Sequence, residues 1–110
     1  MIKLELLIFE HKIDEVKEVL REIGIKKIST FEVKEYGQGH IHKEGYRGAQ
    51  YTVDFITKIN VSILLDSTER LDKILHILSV ANVDADVLVY EVMQGYTISK
   101  RDLSKNDFDF

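Results

Sequence analysis

The sequence predicts an α+β sandwich, an antiparallel sheet with two helices on one of its faces. Three observations carry this. The apolar pattern along the 110 residues reads β-α-β-β-α-β. The two halves look alike, IKLELLIFEHKIDEVKEVLREIGI beside KINVSILLDSTERLDKILHILSVA. At this length the chain is one domain, able to bury roughly 60–65% of its unfolded surface. A split pair of βαβ units with right-handed crossovers gives the ferredoxin-like βαββαβ sandwich.

The elements follow in order. Ile2 to Phe9 reads as a strand, too short for a buried helix and rich in aliphatic residues. Lys12 to Gly24 reads as a helix, with Ile13, Val16, Val19, Leu20 and Ile23 in one stripe and Gly24 as its C-cap. Ile25 to Tyr36 alternates as a second strand. Tyr51 to Leu65 reads as a long third strand bounded by Asp66. Ser67 to Val80 reads as the second helix on a stripe of Leu71, Ile74, Leu75 and Leu78, and Asp66 with Glu69 resembles a capping box. Asp86 to Met93 is the fourth strand, and Tyr96 to Ser99 a short fifth. The domain is expected over residues 1–100, and the polar tail 101–110 is expected to be loose.

Between the second and third strands lies GQGHIHKEGYRGAQY, Gly37 to Tyr51. It holds four of the six glycines and almost no aliphatic residues. Hairpin loops usually take about 2–5 residues, and a connection several times longer is functional or disordered rather than structural. Ordering it would cost roughly 1–2 kcal/mol of backbone entropy per residue, so Gly37 to Gln50 is expected to move in the free protein.

Composition excludes several classes. A formal charge of −4 argues against nucleic acid as a partner. The absence of Cys rules out disulfides and thiolate metal sites. No apolar run reaches the ~18–20 residues of a membrane span. MIKLELLIF lacks a basic leader and a cleavage site, so a cytoplasmic location without direct membrane insertion is expected. There is no GxSxG turn, and GYRGAQY lacks the lysine and hydroxyl of a phosphate-binding P-loop; an enzyme is not expected. His40 and His42, with Glu44 following, stand at i, i+2, i+4 and are weak candidates for a divalent cation; a solvated loop explains them as well.

KIDEVKEVLREIGI, EVKEYG at the entry to the long loop, YRGAQYTVDF at its exit and TK at Thr57–Lys58 together resemble the PII signal-transduction family, over nearly the whole chain to about residue 100. The resemblance implies a cytoplasmic homotrimer, often in nitrogen regulation. It would bind an adenine nucleotide (AMP, ADP or ATP) in clefts between subunits and control a membrane transporter or metabolic enzyme through the long loop. It implies a ligand site built from Leu7, Ser29, Tyr36, Gly37, Lys58 and Leu64, with Lys58 meeting the carboxylate of 2-oxoglutarate. It also implies a partner-binding loop carrying Tyr46, Arg47 and Tyr51, with Tyr51 a candidate for modification.

The family's second glycine-rich loop is degenerate here. The stretch ANVDADVLV is shorter, Val83 and Ala85 stand where glycines would be, and Asp86 stands where a phosphate-binding lysine would be. Thr97 and Ser99 align with arginines, Gly39 with a magnesium-binding glutamine, and Ser62 with a glutamate on the ribose side. MgATP with 2-oxoglutarate is therefore expected to bind poorly. A homotrimer is also expected because Val53, Phe55, Val61, Ile63, Leu65, Val87, Val89 and Tyr90 need burial on a sheet face that the helices leave bare. The alternative is a CutA-like metal-binding or structural trimer without nucleotide.

Overall fold

The computed structural model describes residues 1–37, 42–46, 49–53, 55–99 and 103–105. Its core is a four-stranded antiparallel sheet of β1 (Ile2–Phe9), β2 (Ser29–Tyr36), β5 (Phe55–Leu65) and β6 (Ala85–Glu91), in the order β2-β5-β1-β6. Helices α1 (Ile13–Glu22) and α2 (Thr68–Val80) link β1 to β2 and β5 to β6. This is the ferredoxin-like topology that the repeated βα units predict.

Strand alternation builds the core. Ile2 pairs with Leu65, Leu4 with Ile63, Leu6 with Val61 and Ile8 with Ile59. On the other side of β1, Leu4 meets Val89, Leu6 meets Val87 and Ile8 meets Ala85. Directly opposed residues share a face. That face packs against Val16 and Leu20 of α1 and Ile74 and Leu78 of α2. Leu4, Leu6, Ile8, Val16, Val61, Leu65 and Ile74 are fully buried.

This register corrects the expected composition of the bare face. Val61, Ile63, Leu65, Val87 and Val89 lie on the helix side, with Val61, Ile63 and Leu65 buried there. Phe55 has the same parity, while the Val53 side chain lies outside the description. Of the seven that belong to the main sheet, only Tyr90, opposite Lys3, stands on the open face. Long aliphatic strands hide their parity, because both faces read as apolar.

Both helices end in the same device. The N–H of Gly24 donates to Arg21 O at 3.0 Å and that of Ile25 to Leu20 O at 3.0 Å. After α2, the N–H of Asn82 donates to Ser79 O and that of Val83 to Leu78 O, both at 3.1 Å. This is a Schellman motif, which needs a left-handed residue after the C-cap. Gly24 supplies it at φ 86 and Asn82 at φ 58. The expected capping box at Asp66 and Glu69 is not formed. Ser67 is the N-cap of α2 and makes no side-chain cap bond, which leaves Glu69 one position too early.

Two further strand pairs differ from expectation. The single third strand is divided: β4 (Ala49–Val53) pairs with β3 (His42–Tyr46) in a separate hairpin, and only β5 joins the main sheet. The second strand starts at Ser29 rather than Ile25. The tail is partly structured, since β8 (Leu103–Lys105) pairs with β7 (Tyr96–Ile98).

The two motifs predict opposite responses to substitution. Gly24→Ala forces a left-handed φ on a β-carbon and brings it to 3.3 Å from Arg70 Nη2. It should destabilise the protein by about 1–2 kcal/mol. Asn82→Gly should be neutral or stabilising, because glycine occupies that conformation without strain. Urea unfolding of both variants at one fixed protein concentration measures the two effects.

Candidate functional site

The same alternation that buries Leu6 and Ile8 turns Leu7 and Phe9 to the opposite, open face. Leu7 stands between Asn60 of β5 and Asp86 of β6, and Phe9 stands opposite Lys58. The turn after α2 delivers Asp84 just before β6 begins. A cleft of about 280 Å³ results, lined by Leu7, Phe9, Lys58, Asp84, Ala85 and Asp86. The early β6 start follows from the Asn82 motif, which closes α2 and leaves only Val83 and Asp84 before the strand.

Lys58 is the cation among the described lining residues. Its side chain is only 12% exposed, and its Nζ donates to Glu35 Oε1 at 3.1 Å. The ammonium also lies 5.1 Å from the centre of the Phe9 ring, within cation–π range. Burial of a lysine to this degree requires such partners. Asp84 and Asp86 are exposed at the rim. One ammonium, paired with Glu35, thus shares the cleft with the carboxylates of Asp84 and Asp86, a balance that disfavours polyanions. A wider cleft of about 650 Å³ lies at the other end of β1, between Met1, Ile2, the start of α2 and Glu91. It contains none of the site residues that the sequence suggested.

Those residues divide into groups. Leu7 and Lys58 line the 280 Å³ cleft. Ser29 and Leu64 share its face but lie in other rows, Ser29 opposite Ser62 and Leu64 opposite Lys3. Tyr36 has the parity of the helix face at the sheet's far edge, opposite Phe55 with ring centres 5.5 Å apart, and Gly37 follows it. Neither lines the cleft. Tyr46 and Tyr51 fall in the β3–β4 hairpin, opposite Ala49 and Glu44; only their backbone is described. Arg47 and His40 lie outside the described residues, and His42 is placed by its backbone alone, opposite Val53. Among the described residues no three His, Asp or Glu side chains gather in a way that could hold a metal.

Phe9 and Glu35 were missed. Phe9 was findable, since it lies two residues beyond Leu7 on the same strand and so on the same face. Glu35 was not, because its approach to Lys58 depends on the β2–β5 register.

The model of the family described as "Nitrogen regulatory protein P-II" matches residues 1–102. A nitrogen regulatory protein P-II from Azospirillum brasilense is 44% identical over 68 residues, covering 62% of this chain and 61% of the relative. One from Rhodobacter capsulatus is 48% identical over 65 residues, covering 59% and 58%. Nitrogen regulatory protein P-II 1 of Escherichia coli strain K12 is 42% identical over 65 residues, with the same coverage. The aligned part of the chain thus spans about three fifths of the length of the curated relatives it matches. A family match over 102 of 110 residues, on a ferredoxin-like sheet with a long β2–β5 connection, places this chain in the nitrogen regulatory protein P-II family.

Proposed function

We propose that this protein is a regulatory trimer that senses a small effector in the cleft beside Lys58. It answers through the segment between β2 and β5, which docks on a membrane transporter or a metabolic enzyme. The observation that carries the reading is the family match over residues 1–102. The relatives' names refer to nitrogen regulation, and the proposal extends that role to this chain in the cytoplasm. An effector that binds one of two conformations better shifts their populations, which is a sufficient physical basis for such a switch.

The effector is an adenine nucleotide with few phosphates, AMP or ADP ahead of MgATP. Asp84 and Asp86 line the cleft, and each additional phosphate would bring further negative charge toward them. Thr97 and Ser99, which align with arginines of the family, carry no positive charge. Lys58, Leu7 and the Phe9 ring can still hold a compact ligand against an apolar wall. Tyr46, Arg47 and Tyr51 are the proposed partner contacts, since Tyr and Arg dominate protein interfaces. Tyr51 is also the proposed modification site.

The trimer is supported by the open face of the sheet, though through other residues than the sequence suggested. Phe31, Leu88 and Tyr90 are 54%, 57% and 44% exposed there, beside the partly buried Leu7 and Leu64. On that face they alternate with Asn60, Glu5 and Lys3, a mixed aromatic and polar surface of the kind that protein interfaces use. Light scattering at micromolar concentration should give a mass three times the 12.8 kDa of the chain, and a monomer mass would contradict the proposal.

Titration calorimetry tests the effector. AMP or ADP should bind with no help from 2-oxoglutarate, and Lys58→Ala or Ser29→Ala should weaken that binding. Loss of the charge-assisted contact at Lys58 alone removes about 1.5–3 kcal/mol, roughly a ten-fold effect or more. Micromolar MgATP binding that 2-oxoglutarate strengthens would overturn the proposed nucleotide preference.

A further inference from the structure

The Lys58 ammonium is already held by a carboxylate of its own chain. Glu35 stands opposite Ile56 and Lys58 opposite Val33, so the two are diagonal neighbours on adjacent strands and share the open face. Their charged atoms meet at 3.1 Å. The pair is unequal in its access to water. The Lys58 side chain is 12% exposed and that of Glu35 is 30% exposed. A lysine this enclosed must keep an anionic partner, because an uncompensated charge in such a place is strongly disfavoured. Glu35, nearer to solvent, can be released to water more easily than Lys58 can be left alone.

We propose that Glu35 is an internal occupant of Lys58: a tethered carboxylate that guards the cleft against free anions and that an acidic effector must displace. The inference rests on the reading of this cleft as the effector site. Exchange of Glu35 for an anionic group of the ligand keeps a negative charge beside the ammonium, so the outcome is decided by the ligand's other contacts. A carboxylate fixed on a neighbouring strand acts at an effective concentration of about millimolar or higher. A simple acid at micromolar level therefore loses the competition. A ligand that also packs on Leu7 and Phe9 wins it. Glu35 is the penultimate residue of β2, so its release reaches the end of the strand from which the chain departs toward β3.

The test is an NMR titration of the full chain with succinate, comparing wild type, Glu35→Gln, Asp86→Asn and the double variant Glu35→Gln/Lys58→Met. Gln is isosteric with Glu, and an unchanged circular dichroism spectrum confirms folding. The expected result is a gain in succinate affinity of roughly three-fold or more in Glu35→Gln, with ten-fold reached if the tether is stiff. Asp86→Asn should fall short of it, and the double variant should abolish it. A smaller gain, an equal gain in Asp86→Asn, or a gain that survives loss of Lys58 would each overturn the proposal. Because succinate and the variants are compared with one another, a failure here is distinct from a failure of nucleotide binding in the wild type.

Discussion

The pairing of Ile2 with Leu65, carried without a break to Phe9 opposite Lys58, decides which side chains of this protein can meet. Strand alternation has a period of two, so a slip of one residue would send the whole set to the wrong face. In the native register Leu4, Leu6 and Ile8 face Ile63, Val61 and Ile59 beneath both helices. Full burial of each aliphatic side chain is worth about 1.5–3 kcal/mol. A slipped pairing would forfeit most of that and bury Lys3 and Glu5 instead. The apolar face thus fixes the register, and the register fixes the polar one.

The cleft is a by-product of the same constraint. Leu7, Phe9, Lys58 and Asp86 reach one place because they are the outward-facing members of three adjacent strands. Asn82 contributes from the helix end. Its left-handed conformation closes α2 and lets β6 begin at Ala85, which holds Asp84 and Asp86 at the rim of the cleft. A longer glycine-rich connection would present backbone N–H groups to an anion. The short one presents carboxylates. The open face beyond the cleft carries the exposed aromatic and aliphatic residues that the proposed trimer would cover, so the proposed effector site and the proposed subunit surface share one sheet face.

Much of this was legible in the sequence. The helical stripes of Ile13, Val16 and Leu20 and of Leu71, Ile74 and Leu78 gave both helices to within a few residues, and Gly24 marked its C-cap because only a left-handed residue ends a helix in that way. The strand order followed from the repeated βα unit. Parity was not legible, because IKLELLIF and KINVSILL carry apolar residues at both parities, so Val61 and Ile63 were assigned to the wrong face. The β3–β4 hairpin was hidden for another reason: HKEGY has no apolar alternation, and the alternation of Tyr51 and Val53 in AQYTV was read as the start of one long third strand. In the cleft, Leu7, Lys58 and Asp86 were found through resemblance to a family. Glu35 escaped, because a diagonal contact across two strands has no spacing signature in one chain.

The central claim is that the cleft beside Lys58 is where the effector binds. Amide NMR spectra recorded during a titration with ADP test it most directly. The account predicts saturable shifts concentrated at Leu7, Phe9, Lys58 and Asp84 to Asp86, with the outer faces of α1 and α2 unmoved. Saturable shifts centred on the helices or on the cleft beside Met1 and Ser67, or no saturable shift at all, would contradict it.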